Sequence, residues 1–437
     1  MFEPQIPGLR ARATGRCSRT GARSAVRDAV LLSFATPAEP VAGRLRCRST
    51  KNFATGFSRK DRIGMSEHYD FLVVGGGIVG ASAAFHLASH GRVCVLEQES
   101  AAGYHSTGRS AALFTENYGT ALIRRLTVMS REFLQSAPAG FVDHELLTPR
   151  GMLYIGGREH AAELAKVLRD GRSVVPNICS LTEREVLALC PILRPEVAAG
   201  GVFEPDAADL DVDALLQGYL RGVRKSQGVV LTNANVERIE RTGSLWNILA
   251  AGKRYAAPAI INAAGAWCDV VAERAGIARI DLVPKRRTAI TLDPPVGAEI
   301  HRWPMVHHVD DSFYLKPEAG RILACPVDAT PTVPGDAQPD EYDVAVIADR
   351  IDRATTLKVD RIFRKWAGLR SFVSDGDPVI GEEPSAPGFF WAAALGGYGV
   401  MTSPAVGCVV AALVLSGSLP AGAGFDARAL SPERLRR

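Results

Sequence analysis

A glycine-rich turn followed by a distant acid is the first pattern in this sequence that could do chemistry. The run Gly75-Gly76-Gly77-Ile78-Val79-Gly80 has the form G-x-G-x-x-G, and Glu97 lies 22 residues after Gly75. In such a turn Gly75 permits the tight bend, Gly77 lets the backbone approach a pyrophosphate, and Gly80 lets a helix pack on a strand. The start of that helix attracts phosphate, and Glu97 can accept hydrogen bonds from a ribose hydroxyl. The pattern predicts a dinucleotide site.

Two later glycine-rich segments indicate which dinucleotide is bound. Ala264-Gly265 follows the apolar run Ala259–Asn262, and Gly396-Gly397 follows the apolar run Phe389–Ala393. One G-x-G-x-x-G motif does not separate NAD from FAD. Three widely spaced segments suit one long ligand, and a flavin dinucleotide has that length. FAD is therefore the predicted cofactor.

These segments need a parallel α/β unit to position them. Phe71–Val74 and Val93–Leu96 are short apolar runs typical of buried parallel strands, and residues 81–90 between them predict a helix. Further helices are predicted over 122–134 after Thr120, from the capping box of Thr182 and Glu185, over 212–223 after Asp211, and over 403–416. Residues 286–330 alternate apolar and polar in several places, which predicts an antiparallel sheet.

The charge of the chain is concentrated in its first 64 residues. Residues 1–64 hold 13 Lys and Arg against 4 Asp and Glu, whereas the remainder holds 38 against 43. The mildly acidic remainder has no basic field suited to nucleic acid, and no apolar run reaches the length of a membrane span. The tail, residues 1–64, is predicted to be unstructured. It is interpreted as sequence upstream of a start at Met65, as an organellar transit peptide or, less simply, as a basic arm.

The eight cysteines are scattered and form no C-x-x-C pair. This argues against a disulfide framework and against a zinc site, and it favours a reducing compartment. The expected location is cytoplasmic, or mitochondrial if the tail is a transit peptide. No metal ligands are predicted.

Several motifs together resemble those of the D-amino-acid oxidase/sarcosine oxidase group of FAD oxidoreductases, and within it the bacterial D-arginine dehydrogenases. The motifs lie at the first glycine turn with Glu97 and at residues 103–112, 262–269, 284–287, 312–317, 366–373, 375–381 and 396–400. The resemblance covers about residues 68–437. It implies an α/β fold in which a Rossmann-type, glutathione-reductase-like FAD domain is interleaved with an antiparallel-sheet substrate domain. The implied FAD domain comprises 68–145, 205–285 and 371–437, and the substrate domain comprises 146–204 and 286–370.

The resemblance also implies which residues hold the FAD. Ser106 to Ala112 would lie along the flavin, Val236 would hold the adenine side through its backbone, and Gly397 to Thr402 would reach the pyrimidine edge. The full implied set is Gly75, Gly77, Ile78, Val79, Gly80, Glu97, Ser106, Thr107, Arg109, Ser110, Ala111, Ala112, Val236, Ala264, Gly265, Trp267, Arg370, Gly397, Tyr398, Gly399, Val400, Met401 and Thr402. Noncovalent binding is expected because residues 370–381 contain no cysteine.

The reaction implied by the resemblance is oxidation of a free D-amino acid at Cα. Hydride would pass to flavin N5, and the imine would hydrolyse to a 2-oxo acid and ammonia. Arg370 and Arg287 align with the residues that bind the substrate carboxylate, Tyr314 would add a hydrogen bond to it, and Tyr118 would wall the pocket near the amine. The electron acceptor stays open among a quinone, an electron-transfer protein and oxygen. Glycine- or sarcosine-oxidase-like amine oxidation and a non-catalytic assembly role are the alternatives.

Three departures from the D-arginine enzymes bear on specificity. The D-arginine enzymes have a glutamate that contacts the substrate guanidinium, and this sequence has no counterpart to it after Arg150. The pocket histidine of those enzymes is replaced by Leu113 here. His307 stands where those enzymes have a small apolar residue. A cationic side chain buried without its carboxylate partner would cost several kcal/mol. A substrate with a neutral or apolar side chain is therefore expected, unless Glu116 points into the pocket.

Overall fold

The computed structural model describes residues 66–436. Its strands are β1 (Glu67–His68), β2 (Phe71–Val74), β3 (Val93–Leu96), β4 (Leu113–Phe114), β5 (Leu147–Pro149), β6 (Met152–Gly156), β7 (Cys179–Thr182), β8 (Gly200–Glu204), β9 (Ala208–Leu210), β10 (Val229–Leu231), β11 (Val236–Thr242), β12 (Leu245–Ala250), β13 (Lys253–Ala257), β14 (Ala259–Asn262), β15 (Val283–Leu292), β16 (Met305–His308), β17 (Tyr314–Glu318), β18 (Arg321–Cys325), β19 (Thr330–Pro331), β20 (Ile362–Phe372), β21 (Val379–Glu382) and β22 (Phe389–Ala393). Its α-helices are α1 (Ile78–Leu87), α2 (Ala121–Gln135), α3 (Ala161–Gly171), α4 (Glu183–Leu189), α5 (Val212–Lys225), α6 (Cys268–Arg274), α7 (Glu341–Ala354) and α8 (Gly399–Ser416).

A six-stranded sheet carries the glycine-rich turns. Its order is β10-β3-β2-β14-β22-β21, and all neighbours are parallel except β21 with β22. Strands β2, β3, β14 and β22 are buried along their whole length because both faces of the sheet are covered. Helix α1 packs against α5 and α8, and α2 packs against α8. This is the predicted parallel α/β unit, and its four predicted strands have the predicted bounds.

A nine-stranded sheet forms the second layer of the fold. Its order is β19-β15-β18-β17-β16-β6-β8-β7, with β20 also paired to β15. The antiparallel prediction holds for every neighbouring pair except one, because β16 runs parallel to β6. Between these two strands the chain crosses to the six-stranded sheet and returns, and such a long connection allows a parallel pair. Two smaller sheets, β1-β13-β12-β11 and β4-β9-β5, complete the fold.

The predicted helix caps are present. Thr120 accepts a hydrogen bond from the Ile123 amide, and Asp211 accepts one from the Ala214 amide. Thr182 and Glu185 exchange both bonds of a capping box at the start of α4. These side chains satisfy amides that have no partner inside the helix.

Two helices begin three or more residues before their predicted starts. Helix α1 begins at Ile78 directly after the glycine turn, rather than at residue 81, and ends at Leu87. Helix α8 begins at Gly399 rather than at residue 403 and contains Pro404 in its interior. A proline there cannot donate to the Val400 carbonyl, but the Ser403 hydroxyl donates to that carbonyl instead, at 3.0 Å. The helix therefore continues through the proline, and its first turn lies before the predicted start.

Helix α8 is also apolar and long enough to cross a membrane by length and composition alone, with a mean hydropathy of 1.9. Just over half of it is buried inside the protein, where it packs against α1 and α2. The six described cysteines are free thiols. The predictions for the tail lie outside the described residues.

Candidate active site

A continuous cavity lies at the carboxyl ends of the parallel strands, where ligands bind in open α/β sheets. Its outer part (the outer cavity) is lined by Gly75, Glu97, Val236, Ala264 and Trp267 among others. Its inner part (the inner cavity) lies between the two large sheets and is lined by residues of both. Gly77, Ser106, Thr107 and Gly265 line both parts. The space is therefore long and extended, as an FAD requires.

The glycine turn places its three glycines in different surroundings. Gly75 has φ +105°, and a Cβ there would lie 2.4 Å from the Ala263 carbonyl oxygen. A Cβ on Gly80 would lie 2.0 Å from the Gly75 oxygen, so this position lets α1 pack on the turn. A Cβ on Gly77 would meet only the Thr107 hydroxyl, at 3.4 Å, and would project into the cavity. The absence of a side chain at Gly77 thus leaves room for a ligand, whereas at Gly75 and Gly80 it avoids a clash with the protein's own backbone.

Glu97 is held in place at the outer cavity. One carboxylate oxygen accepts from the Gly76 amide at 2.8 Å, and the other accepts from the Glu99 amide at 2.9 Å. A carboxylate oxygen has more than one acceptor position, so both oxygens can still receive ribose hydroxyls. Nearby, the rings of His105 and Trp267 approach to 4.6 Å at the same cavity. The chemistry of these residues fits the adenosine half of FAD.

Most of the residues predicted to hold FAD line the cavity. Those that do are Gly75, Gly77, Ile78, Val79, Glu97, Ser106, Thr107, Arg109, Ser110, Ala111, Val236, Ala264, Gly265, Trp267, Arg370, Gly397, Gly399 and Val400. Ala112 and Met401 line the adjoining substrate cavity described below. Gly80, Tyr398 and Thr402 line none of these spaces: Thr402 is buried and donates to the Tyr398 carbonyl, and the Tyr398 ring packs on Tyr118.

Neighbouring strands of the nine-stranded sheet bring the predicted catalytic residues together. Tyr154, His307, Tyr314 and Cys325 are successive cross-strand partners, so their side chains form one row on one face. Lys285 pairs with Arg370 across β15 and β20, and Arg287 lies two residues further along β15. Because side chains alternate along a strand, Arg287 and Arg370 lie on the same face.

Arg370 lies where the inner cavity meets a third space, the substrate cavity, and it lines both. Its guanidinium rests against the backbone of Gly397, where a Cβ would come within 2.7 Å of it. Burial alone would lower the pKa of Arg370, but the neighbouring Tyr118, Tyr314 and Cys325 raise it. The group therefore stays cationic.

Arg287 lines the inner cavity but not the substrate cavity. Its Nε donates to the Asp328 carbonyl at 2.7 Å, and its buried Nη1 has no partner among the described residues. An unpaired buried donor is costly, so this nitrogen is available to a ligand. The two arginines thus approach the same region from different strands.

The substrate cavity is completed by aromatic and apolar side chains. Tyr314 is almost fully buried, and burial raises its pKa far above the usual range, so its hydroxyl remains a donor. The other lining side chains include Leu113, Thr115, Tyr118, Met152, Met305, His307, Val400 and Met401. Of these, Thr115, Met152 and Met305 were missed by the sequence analysis, because nothing local marks a methionine in a β-strand or a threonine just after one as a pocket residue.

No carboxylate is among the described residues that line the substrate cavity. Glu116, the possible substitute for the missing acid, does not point into it. Its carboxylate is buried and accepts from the Arg131 Nε at 2.7 Å. The cavity is therefore cationic at one end, through Arg370, and mainly apolar elsewhere.

Comparisons with known proteins agree with this geometry. The profile of the "FAD dependent oxidoreductase" (DAO) family matches residues 70–413. The glycine oxidase of Geobacillus kaustophilus is 24% identical over 80% of this chain and 94% of that protein. The 4-methylaminobutanoate oxidase (formaldehyde-forming) of Paenarthrobacter nicotinovorans is 25% identical over 87% of this chain and 47% of that protein.

Solved structures share the fold. The L-proline dehydrogenase of P. horikoshii superimposes with a TM-score of 0.75 at 21% identity, covering 85% of this chain and 99% of that one. The glycine oxidase structure from Geobacillus kaustophilus gives a TM-score of 0.72 at 23% identity, covering 84% of this chain and 98% of that one. These similarities support the predicted fold and FAD as the cofactor. They do not support the narrower resemblance to D-arginine dehydrogenases.

Proposed function

Because this chain belongs to the DAO family of FAD dependent oxidoreductases, we propose that it oxidises an amino acid of D configuration with a neutral or apolar side chain. The product would be the imine, which hydrolyses to a 2-oxo acid and ammonia. FAD, bound noncovalently, supplies the acceptor for the hydride that leaves Cα. The electron acceptor that reoxidises it is a quinone, an electron-transfer protein or oxygen.

The observation that carries this proposal is the position of Arg370. A cationic guanidinium faces a cavity in which no described lining residue is a carboxylate. A planar guanidinium suits a carboxylate, which it can hold through two parallel hydrogen bonds. The missing counter-ion is then the carboxylate of the substrate.

The other predicted catalytic residues have roles consistent with that anchor. The Tyr314 hydroxyl, held neutral by burial, can donate to the same carboxylate. The unpaired Nη1 of Arg287 adds positive charge beside it. Tyr118 also lines the cavity, where its ring lies 5.1 Å from that of Tyr398. Together these contacts would orient Cα toward the inner cavity.

The apolar part of the substrate cavity supports the proposed side-chain preference. Met152, Met305 and Met401 line it, and methionine side chains adapt to ligands of differing shape. A D-arginine or D-lysine side chain would find no anionic partner among the described lining residues. Its charge would have to be buried unpaired, at a cost of several kcal/mol.

Oxidation of glycine or of a secondary amine is a second candidate. It is favoured by the similarity to glycine oxidases and to 4-methylaminobutanoate oxidase. The cationic anchor for a carboxylate would serve either class of substrate. The two candidates differ in whether the cavity must hold a side chain on Cα or a methyl group on nitrogen.

Anaerobic stopped-flow reduction of the bound FAD distinguishes these candidates. The panel contains all D- and L-amino acids, glycine and sarcosine. We expect D-Met and D-Leu to reduce the flavin at least tenfold more efficiently than D-Arg, a difference of about 1.4 kcal/mol. Faster reduction by D-Arg or by the L-enantiomers would overturn the proposed specificity. Preference for glycine or sarcosine would establish the second candidate.

A further inference from the structure

We propose that His307 accepts the proton that the substrate ammonium group must lose, and that Asp311 conducts this proton to solvent only after the product has left. The inference rests on the proposed function, because it concerns the amine of an amino acid held by Arg370. It assigns a chemical role to the histidine that departs from the D-arginine enzymes and that the carboxylate anchor does not use.

The charge of the substrate cavity creates the need for a proton acceptor. An amino acid arrives with a carboxylate and an ammonium group, and Arg370 neutralises only the carboxylate. Among the described residues that line the cavity, none is a carboxylate that could pair with the ammonium. A buried unpaired cation is expensive, so the amine is bound in its neutral form. The nitrogen lone pair is also what forms the C=N bond of the product.

His307 is the imidazole that lines this cavity, and imidazole is the side chain that gains or loses a proton between pH 5 and 8. It is 4% exposed, with the rings of Tyr118, Tyr154 and Tyr314 at 6.1, 5.7 and 6.0 Å. Burial raises the pKa of Tyr154 and of Tyr314, so neither phenol competes as a base.

His307 also reaches the outside of the protein. Together with Tyr118 it separates the substrate cavity from an open cleft lined by Asn117, Lys166, His308 and Asp311. One Asp311 carboxylate oxygen lies 2.8 Å from the His307 Nε2, and the Asp311 side chain is 70% exposed. A proton that reaches His307 from the cavity is therefore one contact away from solvent.

Asp311 is suited to stabilise a protonated His307. The contact with the His307 ring, together with the charge of Arg287, lowers the pKa of Asp311 against the opposing effects of burial and of Asp310. Asp311 is held in a turn with φ +61°, a conformation that aspartate tolerates better than most residues. The other charged groups facing the cleft are Arg124, Lys166 and Asp170.

The proposed step balances as a simple proton transfer. An N–H bond of the substrate ammonium breaks, an N–H bond forms at His307, and the lone pair stays on the substrate nitrogen. That pair becomes the second C–N bond as Cα loses its hydride to the cofactor. After the product has left, the imidazolium passes its proton through Asp311 to water, which restores the neutral ring.

The same turn offers a matched control. His308 follows His307 on β16, and its Nδ1 lies 2.5 Å from Asp310, next to Asp311. His308 packs against Phe313 and His160 and does not line the substrate cavity. His308→Gln therefore removes a neighbouring His–Asp pair without touching the proposed proton acceptor.

The test uses two ligands that cannot be oxidised at Cα by hydride loss from an amine: 2-aminoisobutyrate, which lacks a Cα hydrogen, and isobutyrate, which lacks the amine. Calorimetric titration of the FAD-loaded protein at pH 8, in buffers of different ionisation enthalpy, counts the protons released on binding. In the wild type we expect almost none for either ligand, because the ammonium proton moves to His307 and stays in the complex. In His307→Gln we expect about one proton for 2-aminoisobutyrate and none for isobutyrate. His308→Gln should match the wild type.

The outcomes separate the inference from the proposed function. If neither ligand binds, the carboxylate anchor and with it the proposed function are wrong. If both bind but the wild type releases a full proton with 2-aminoisobutyrate, the amine gives its proton to solvent and the role of His307 is wrong. Equal proton release by the wild type and His307→Gln would have the same meaning. A full proton released by the wild type overturns the role of His307 even if the variant fails to fold, and a wild-type count near zero supports that role only together with the release by His307→Gln.

Discussion

Replacing Arg370 by alanine tests the anchor on which the proposed function depends. The guanidinium meets the substrate carboxylate in a cavity without a competing carboxylate among its described lining residues. Removing one partner of a desolvated, hydrogen-bonded charge pair costs about 2–5 kcal/mol. Taking about 3 kcal/mol, and tenfold per ~1.4 kcal/mol, kcat/KM should fall by more than about a hundredfold. The limiting rate of flavin reduction should fall too, because Cα is no longer oriented.

The assay is anaerobic flavin reduction by the best substrate of the panel, with FAD content measured for each variant. Arg370→Lys should recover only part of the loss, since an ammonium cannot make the two parallel bonds. Arg364→Ala is the matched control, because Arg364 lies on the same strand β20 but is exposed. An Arg370→Ala protein that keeps its FAD and retains near wild-type kcat/KM would refute the reasoning. Loss of FAD in this variant alone would instead assign Arg370 to the cofactor.

Three further predictions concern the cofactor, the stability and the tail. Gly77→Val should give a folded protein without FAD, because the valine side chain projects into the cavity, whereas Gly75→Val should fail to fold. Acid precipitation of the wild type should release all FAD into the supernatant, and flavin in the pellet would contradict noncovalent binding. Burial raises the pKa of Glu204 from 4.5 to about 7. Between pH 4.5 and about pH 7, the folded protein therefore holds a proton that the unfolded chain has lost. The free energy of unfolding should consequently fall as the pH rises through this range. Glu204→Gln should flatten that decline in urea titrations at pH 5 and pH 8, and an unchanged slope would exclude Glu204 as its source. A chain that begins at Met65 should keep the FAD content and turnover of the full chain, and loss of either would show that residues 1–64 are required.

The parts of the fold predicted from sequence are those set by neighbours along the chain. Some features depend on residues within a few positions of one another. They are the glycine turn, the buried strands beside it and the helix caps at Thr120, Thr182 and Asp211. Local backbone and hydrogen-bonding preferences suffice for such features. Even here the start of α8 was predicted four residues late, and the bond from the Ser403 hydroxyl that lets the helix continue through Pro404 is visible only in three dimensions.

The candidate site depended on register between distant strands. Arg287 and Arg370 meet because β15 and β20 pair along ten residue pairs, and no pattern within either strand specifies that pairing. Their shared role was anticipated only through the family resemblance. The position of His307 between the substrate cavity and the cleft also depends on the pairing of distant strands, because β16 pairs with β6 and β17. Glu116 was a candidate pocket residue in the sequence analysis, but its carboxylate contacts Arg131 and does not face the pocket.

The position of β22 in the six-stranded sheet has a consequence for how the protein is made. This strand is synthesised long after β14, yet it lies inside the sheet between β14 and β21, and the helix α8 that follows it packs on α1 and α2. Until β22 has emerged from the ribosome, β14 remains an open apolar edge able to pair with another chain. Long-range parallel pairing is also slow to form. The nascent chain therefore passes through an aggregation-prone interval that ends only when β22 and α8 emerge, and its yield in cells should depend on chaperones that shield that edge.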